Sequence, residues 1–250
     1  MTARGRAFGA AALAAAWLAA GAASADTVAE ACLAATPSPS VERPLARVRA
    51  ALLARRPVLI AAIGSSSTRG VGASSWAATY PEVMQRELMR LKPSARIDIA
   101  NLGVNGETIR GQIARMERDA LSLKPQLVIW QLGSNDVVWP WGGIDARLEG
   151  EVVEALRRVT AAGSDIVLMD LQNSPFVAGA SLRNAMLDLT ARAARQGGAG
   201  LFRRFSLLER AVAAGVSLSQ LTSWDQLHNT DAAYDCTGRA LARAIHAASR

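Results

Sequence analysis

The sequence predicts an α/β fold: one domain built on a five-stranded parallel sheet with helices on both faces. Three observations predict it. The run "VLIAAIG" (58–64) is apolar without alternation, as in a strand buried on both faces, and four further strand patterns follow it. Between successive runs lie segments with apolar residues at helical spacing, which implies right-handed strand–helix–strand units. The chain has 250 residues, half of them apolar, enough for one sizeable core.

Residues 1–25, "MTARGRAFGAAALAAAWLAAGAASA", place Arg4 and Arg6 before an Ala-rich apolar run that closes on Ala23-Ser24-Ala25. This is the pattern of a signal peptide cleaved after Ala25, which leaves no stable membrane anchor and implies a periplasmic or secreted protein. Residues 26–44 read as an N-terminal lead-in, Pro- and Ser-rich over 35–44, and residues 45–250 as the folded domain. The first strand is "VLIAAIG" (58–64). A helix follows over "YPEVMQRELMRLK" with Pro81 in its first turn. The second strand is 95–103, followed by a helix over 107–124. The third strand is 126–133, followed by a helix over 145–163 that ends on a glycine. The fourth strand is 165–172, followed by a helix over 180–196. A weak fifth strand lies at 200–205. Helices over 206–214 and 231–248 complete the chain.

Open sheets of this kind bind ligands at the carboxyl ends of their strands, and polar clusters stand there. Gly64-Ser65-Ser66-Ser67-Thr68 follows the first strand. "NLGVNGET" follows the second and "GSND" the third. "SWDQLHNT" follows the last strand region. A serine nucleophile needs a base, and only His228 and His246 exist. His246 lies on a C-terminal helix pattern with no nearby acid. Asp225 precedes His228 by three residues, within reach of the imidazole in a tight turn, where it would set the tautomer and stabilise the imidazolium. Acyl transfer also needs donors where oxyanion charge develops, and Gly106 and Asn135 stand in suitable places. Taken singly, Gly106 reads equally as a helix-entry turn and Asn135 as a cap or Asx-turn.

Together these blocks resemble the SGNH hydrolases, the GDSL-like esterase superfamily. Gly64-Ser65-Ser66-Ser67-Thr68-Arg69-Gly70 is similar to the family's G-D-S-x-T-x-G, with the nucleophile at Ser66. Asn101-Leu102-Gly103-Val104-Asn105-Gly106 resembles the block whose oxyanion glycine falls on Gly106. Gly133-Ser134-Asn135-Asp136 resembles the G-x-N-D block, and Asp225-Gln226-Leu227-His228 the D-x-x-H block. The resemblance implies a flavodoxin-like three-layer α/β/α sandwich. It also implies a catalytic set of Ser66, Asp225 and His228, with an oxyanion hole of the Ser66 N–H, the Gly106 N–H and the Asn135 amide. One residue departs from the pattern: the family's usual Asp before the nucleophile is Ser65 here. That leaves Ser65 and Ser67 as alternative nucleophiles, while Thr68 and Gly70 favour Ser66. No G-x-S-x-G elbow, P-loop or dinucleotide fingerprint is present.

The expected activity is ester hydrolysis through an acyl-enzyme, with no cofactor and no metal. The expected substrate is a short-chain, acetyl-type ester of a saccharide or small alcohol. The alternatives are a lipid or lysophospholipid esterase, an acyltransferase using the same residues, or a non-catalytic carbohydrate-binding member of the fold. Trp76, Trp139, Trp141 and Trp224 fall near the blocks and are candidate substrate-binding residues. Two cysteines and two histidines are too few for a structural zinc site. In an exported chain, Cys32 and Cys236 are expected to pair. The net charge is +7; without Arg4 and Arg6 there remain 26 basic against 21 acidic residues, a net of +5. The arginines alternate with acids along helices, which predicts solvated, ion-paired faces rather than a nucleic-acid stripe.

Overall fold

The computed structural model describes residues 24–36, 38–139 and 143–250. Residues 1–23, which fall within the expected signal peptide, and Trp141 lie outside the described residues. Five parallel strands form one sheet: β1 (Val58–Gly64), β2 (Ile97–Gly103), β3 (Leu127–Gln131), β4 (Asp165–Met169) and β5 (Gly200–Phe202), in the order β2-β1-β3-β4-β5. This is the flavodoxin-like order, whose switch point lies between β1 and β3.

Side chains along each strand alternate between the two faces. Val58, Ile60 and Ala62 of β1 join one core, while Ala61 and Ile63 join the other. Helices α2 (Ala46–Leu53), α4 (Tyr80–Leu91), α10 (Arg204–Ala213) and α12 (Asp231–Ala248) cover the first face. Helices α5 (Ile109–Arg115), α7 (Leu148–Ala161) and α9 (Arg183–Gly197) cover the second. Each large apolar side chain buried this way contributes about 1.5–3 kcal/mol.

One expectation is extended and one corrected. The lead-in over 26–44 is structured. It contains α1 (Ala25–Ala34), which puts Val28, Cys32 and Leu33 into the first core, with Val41 following. Cys32 is bonded to Cys236 of α12 across 204 positions. The helix over 107–124 is not continuous. After α5 the backbone passes through a π turn (Met116–Ala120) and a 3₁₀ turn (Leu121–Leu123), and it stops at Lys124 in the left-handed region. The break follows Arg115, whose guanidinium turns inward to Gly64 O, Leu102 O and Glu107 rather than lying along a regular helix face. Short helices unseen in the sequence are α3 (Ser66–Arg69), α6 (Ser134–Val138), α8 (Pro175–Gly179) and α11 (Leu218–Leu221). No helix among the described residues is long and apolar enough to cross a membrane.

Candidate active site

The site is assembled from the carboxyl ends of β1, β2 and β3 and a loop before α12. β1 stops at Gly64, Ser65 stays extended, and Ser66 opens the single turn α3. One amide carbonyl sets this turn: Gln131 Oε1 accepts from the Ser65 N–H (3.0 Å), the Ser65 hydroxyl (2.9 Å) and the Thr68 hydroxyl (3.3 Å). Because a backbone N–H is among the donors, the amide orientation is fixed. From the β2 side, Asn101 Nδ2 donates to Thr68 O at 2.8 Å. Gly103 is required here, since a Cβ at that position would lie 2.1 Å from Arg69 N. Ser66 is 8% exposed, and its hydroxyl lies 2.7 Å from His228 Nε2. Ser65 is committed to Gln131. The Ser67 hydroxyl is buried and unpaired among the described residues. Of the three serines, only Ser66 meets the imidazole.

His228 sits on a loop closed by the antiparallel bridge Thr222↔Asn229 and by the Ser223 N–H donating to His228 O at 2.7 Å. Asp225 is the pivot. Its Oδ1 accepts from the Leu227 and His228 N–H groups (3.0 and 2.9 Å), and its Oδ2 lies 2.5 Å from His228 Nδ1. Burial alone would raise the Asp225 pKa; the imidazole and the two backbone donors outweigh it and hold the carboxyl below its ordinary range. Gln226 takes the left-handed φ of +59° that such a tight turn demands, and its carbonyl accepts from the Phe176 N–H at 3.2 Å.

Gly106 has φ +73° and an N–H with no partner among the described residues; the Ser66 N–H likewise has none. The Gly106 turn springs from the end of β2, where the Val104 N–H donates to Gly64 O at 3.0 Å. Asn135 lies in α6. Its Nδ2 donates to Glu107 O at 2.8 Å, and its Oδ1 accepts from Trp139 Nε1 at 3.0 Å. Both ends of the amide are thus oriented, and one amide hydrogen remains for another acceptor. Trp139 therefore grips Asn135, a role its residue type did not reveal. Asp136 accepts from the Ile109 N–H through both oxygens at 3.2 Å. Burial pushes its pKa up to about 6 against that hydrogen bond. Trp76 and Trp224 are exposed, Trp224 at 93%. His246 lies away from this site, its Nε2 3.1 Å from Arg250.

Sequence reasoning missed the support beneath the site. Gln131 Nε2 donates to Ser134 Oγ (3.3 Å), and Ser134 donates to Gln172 Oε1 (2.7 Å). That oxygen also accepts from Arg204 Nη2 at 2.8 Å, while Gln172 Nε2 donates to Leu227 O at 3.3 Å. A buried polar chain thus runs from the Ser66 turn to the His228 loop. The available signal was polarity where a strand end should be apolar: Gln131 closes β3 and Gln172 lies just past β4. Groups arranged this way can deprotonate a hydroxyl, hold the resulting imidazolium against a carboxylate, and present donors to a developing oxyanion. Among the described residues, no cluster of His, Cys, Asp and Glu is suited to a metal ion.

Over residues 31–250 the chain matches the model of a family described as the non-GDSL lipase-like family. No curated protein matches it. Among solved structures it is similar to a two-domain esterase active on acetylated mannans, at 20% identity and TM-score 0.70, over 84% of this chain and 55% of that one. The chain thus spans about half the length of that esterase. It is also similar to an acetylxylan esterase from Geobacillus stearothermophilus, at 22% identity and TM-score 0.62, over 75% of this chain and 94% of the other. An α/β hydrolase enzyme from the metagenome of Lake Arreo, Spain, gives 20% identity and TM-score 0.58 over 76% and 98%. At these identities the likeness is one of fold.

Proposed function

The chain belongs to the non-GDSL lipase-like family, and from that premise we propose that it is an exported serine ester hydrolase of SGNH type that removes short acyl groups, acetyl above all, from a saccharide. The observation that carries this reading is the unbroken line from Asp225 through His228 to Ser66 Oγ. In the proposed reaction His228 Nε2 takes the Ser66 proton as Oγ bonds to the ester carbonyl carbon. The Ser66 N–H, the Gly106 N–H and the free hydrogen of Asn135 Nδ2 receive the oxyanion. Collapse of the intermediate breaks the bond to the alcohol, which leaves with the proton from His228. Water then gives a proton to His228 and its oxygen to the acyl carbon; the acid departs and Ser66 regains its proton.

The preference for a saccharide draws support from the solved esterases of this fold that act on acetylated mannans and xylan. It also draws on Trp224, fully presented beside Asp225 as a face on which a sugar ring stacks. Export is supported by the Cys32–Cys236 bond, which persists in oxidising compartments.

The test is a chain-length series of p-nitrophenyl esters and acetate release from acetylated mannan and xylan, with wild type and Ser66→Ala. Acetate esters are expected to turn over fastest, and the variant to lose at least about 10³ in rate. Unchanged turnover in Ser66→Ala refutes the nucleophile. A preference for octanoate or longer replaces the saccharide with a lipid. Faster transfer to an added alcohol than to water makes the protein an acyltransferase.

A further inference from the structure

Ten arginines lie in ion pairs among the described residues, and of those that do not, a group at one end converges on one place. Arg49, Arg55, Arg56, Lys92, Arg96 and Arg250 line a single groove of about 660 Å³ with no acidic side chain in its wall. None of the six makes an ion pair among the described residues. Its size is within the range of ligand pockets, about 300–1,000 Å³. The groove lies at the amino ends of the first two strands. Arg56 stands just before β1 and Arg96 immediately precedes β2, whereas Ser66 follows the carboxyl end of β1. At about 3.3 Å per residue, a seven-residue strand puts the two rims about 20 Å apart.

Gathering six cationic side chains with no acidic side chain among them sets up mutual repulsion. The field is felt by a neighbour: burial lowers the His246 pKa, and Lys92 and Arg250 lower it further. Arg55 adds backbone strain. It ends α2 at φ +52°, with its N–H on Leu52 O and the Arg56 N–H on Ala51 O. Glycine or asparagine normally fills that position. An anion in the groove relieves the repulsion, and planar guanidinium forks match carboxylates bidentately.

We propose that this groove binds a carboxylate-bearing polysaccharide strand, independently of the site at the opposite rim. Its wall offers guanidinium forks for the carboxylates and the exposed hydroxyl of Ser94 for a sugar hydroxyl. It holds no aromatic side chain on which a nucleic-acid base would stack. The cations converge on a concavity, which accepts a strand better than it meets a flat lipid surface.

The test is binding of the full chain to polygalacturonate at about 0.1 M salt, comparing two triple variants of equal net charge. Arg55→Glu/Arg56→Glu/Arg96→Glu alters the groove. Arg147→Glu/Arg195→Glu/Arg210→Glu alters exposed arginines that do not line it. The groove variant is expected to bind at least about tenfold more weakly and the remote variant to change by less than about twofold, because only the groove converges its charges on the ligand. Turnover of p-nitrophenyl acetate is expected to be unchanged in both, so the result stands apart from the hydrolase reading. Equal weakening in both variants, or no binding by wild type, overturns the proposal. So does groove-dependent sedimentation with phosphatidylglycerol vesicles in the absence of polygalacturonate binding. If the Glu variant does not fold, Arg55→Gln/Arg56→Gln/Arg96→Gln, matched to wild type by thermal midpoint, is read on the same scale.

Discussion

Ser65 shows how one residue can separate a chain from the motif it resembles. In this chain the residue before Ser66 donates twice to Gln131 Oε1, through backbone and hydroxyl, at 2% exposure. An ionised carboxylate is an acceptor only, so Ser65→Asp would set a buried charge against a carbonyl oxygen. If the amide flipped to meet it, the Ser65 N–H would lose its acceptor instead. Restoring the motif aspartate is therefore expected to destabilise the protein by about 2–4 kcal/mol and to lower kcat, since the same carbonyl sets the Ser66 turn. Ser65→Ala, which keeps the backbone bond, is expected to cost only about 1 kcal/mol. Urea denaturation checks the order; an unimpaired Ser65→Asp protein would mean that Gln131 does not govern the turn. At this scale Ser66, Asp225 and His228 were legible because each announces itself within a few neighbouring residues. Gln131 was not. Its significance comes from the β1–β3 register, which places it beside a serine 66 positions earlier. Trp139 was legible as an aromatic near the site, but not as the clamp on Asn135.

Between elements, no backbone hydrogen bond among the described residues joins the Ser66 turn to the His228 loop. The Ser66 turn belongs to β1, and the His228 loop is built after α11. Gln172, just beyond β4, joins them: its Oε1 takes Ser134 and Arg204, and its Nε2 holds Leu227 O beside His228. In Gln172→Leu a fully buried guanidinium loses one of its two acceptors, a buried hydroxyl loses its acceptor, and the loop loses its anchor. We expect a loss of about 2–4 kcal/mol in stability. Activity is expected to fall through kcat rather than KM, because the imidazole then wanders from Ser66 while the substrate surface is unchanged. A variant equally destabilised but with wild-type kcat at low temperature would show that the chain of amides supports the core and not the site. The elements themselves were largely legible. Short strand patterns between helical segments located all five strands, and β1 had the observed bounds. The segment after β2 misled because its periodicity runs on through 116–123. The inward turn of Arg115 toward two strand-end carbonyls is a tertiary contact, which helical spacing does not register.

For the whole molecule, alternation of strands and helices implied a parallel sheet but was silent on the order β2-β1-β3-β4-β5, which depends on the side to which each crossover turns. It was also silent on α1, which falls in the stretch read only as a lead-in. The structure makes that helix part of the core and fastens it to α12, both by the Cys32–Cys236 bond and by Glu30 with Arg239 at 2.7 Å. α12 in turn reaches the Ser66 region, since the Tyr234 hydroxyl donates to Val71 O at 2.7 Å. One bond thus closes almost the entire domain. For a loop of 204 residues the chain-entropy model gives about 5 kcal/mol. Measured values are commonly about 2–4 kcal/mol, because an unfolded chain is already partly compact. Cys32→Ala/Cys236→Ala is therefore expected to lower the thermal midpoint by about 5–15 °C, taking roughly 2–4 °C per kcal/mol for a domain of this size. The effect operates mainly on the unfolded chain, so kcat at 25 °C should stay near wild type while the temperature of inactivation falls. Dithiothreitol should bring the wild-type midpoint down to that of the double variant and leave the variant unmoved. If reduction leaves the wild-type midpoint in place, α1 is held by its packing against α12 alone, and the bond contributes nothing to the stability of the domain.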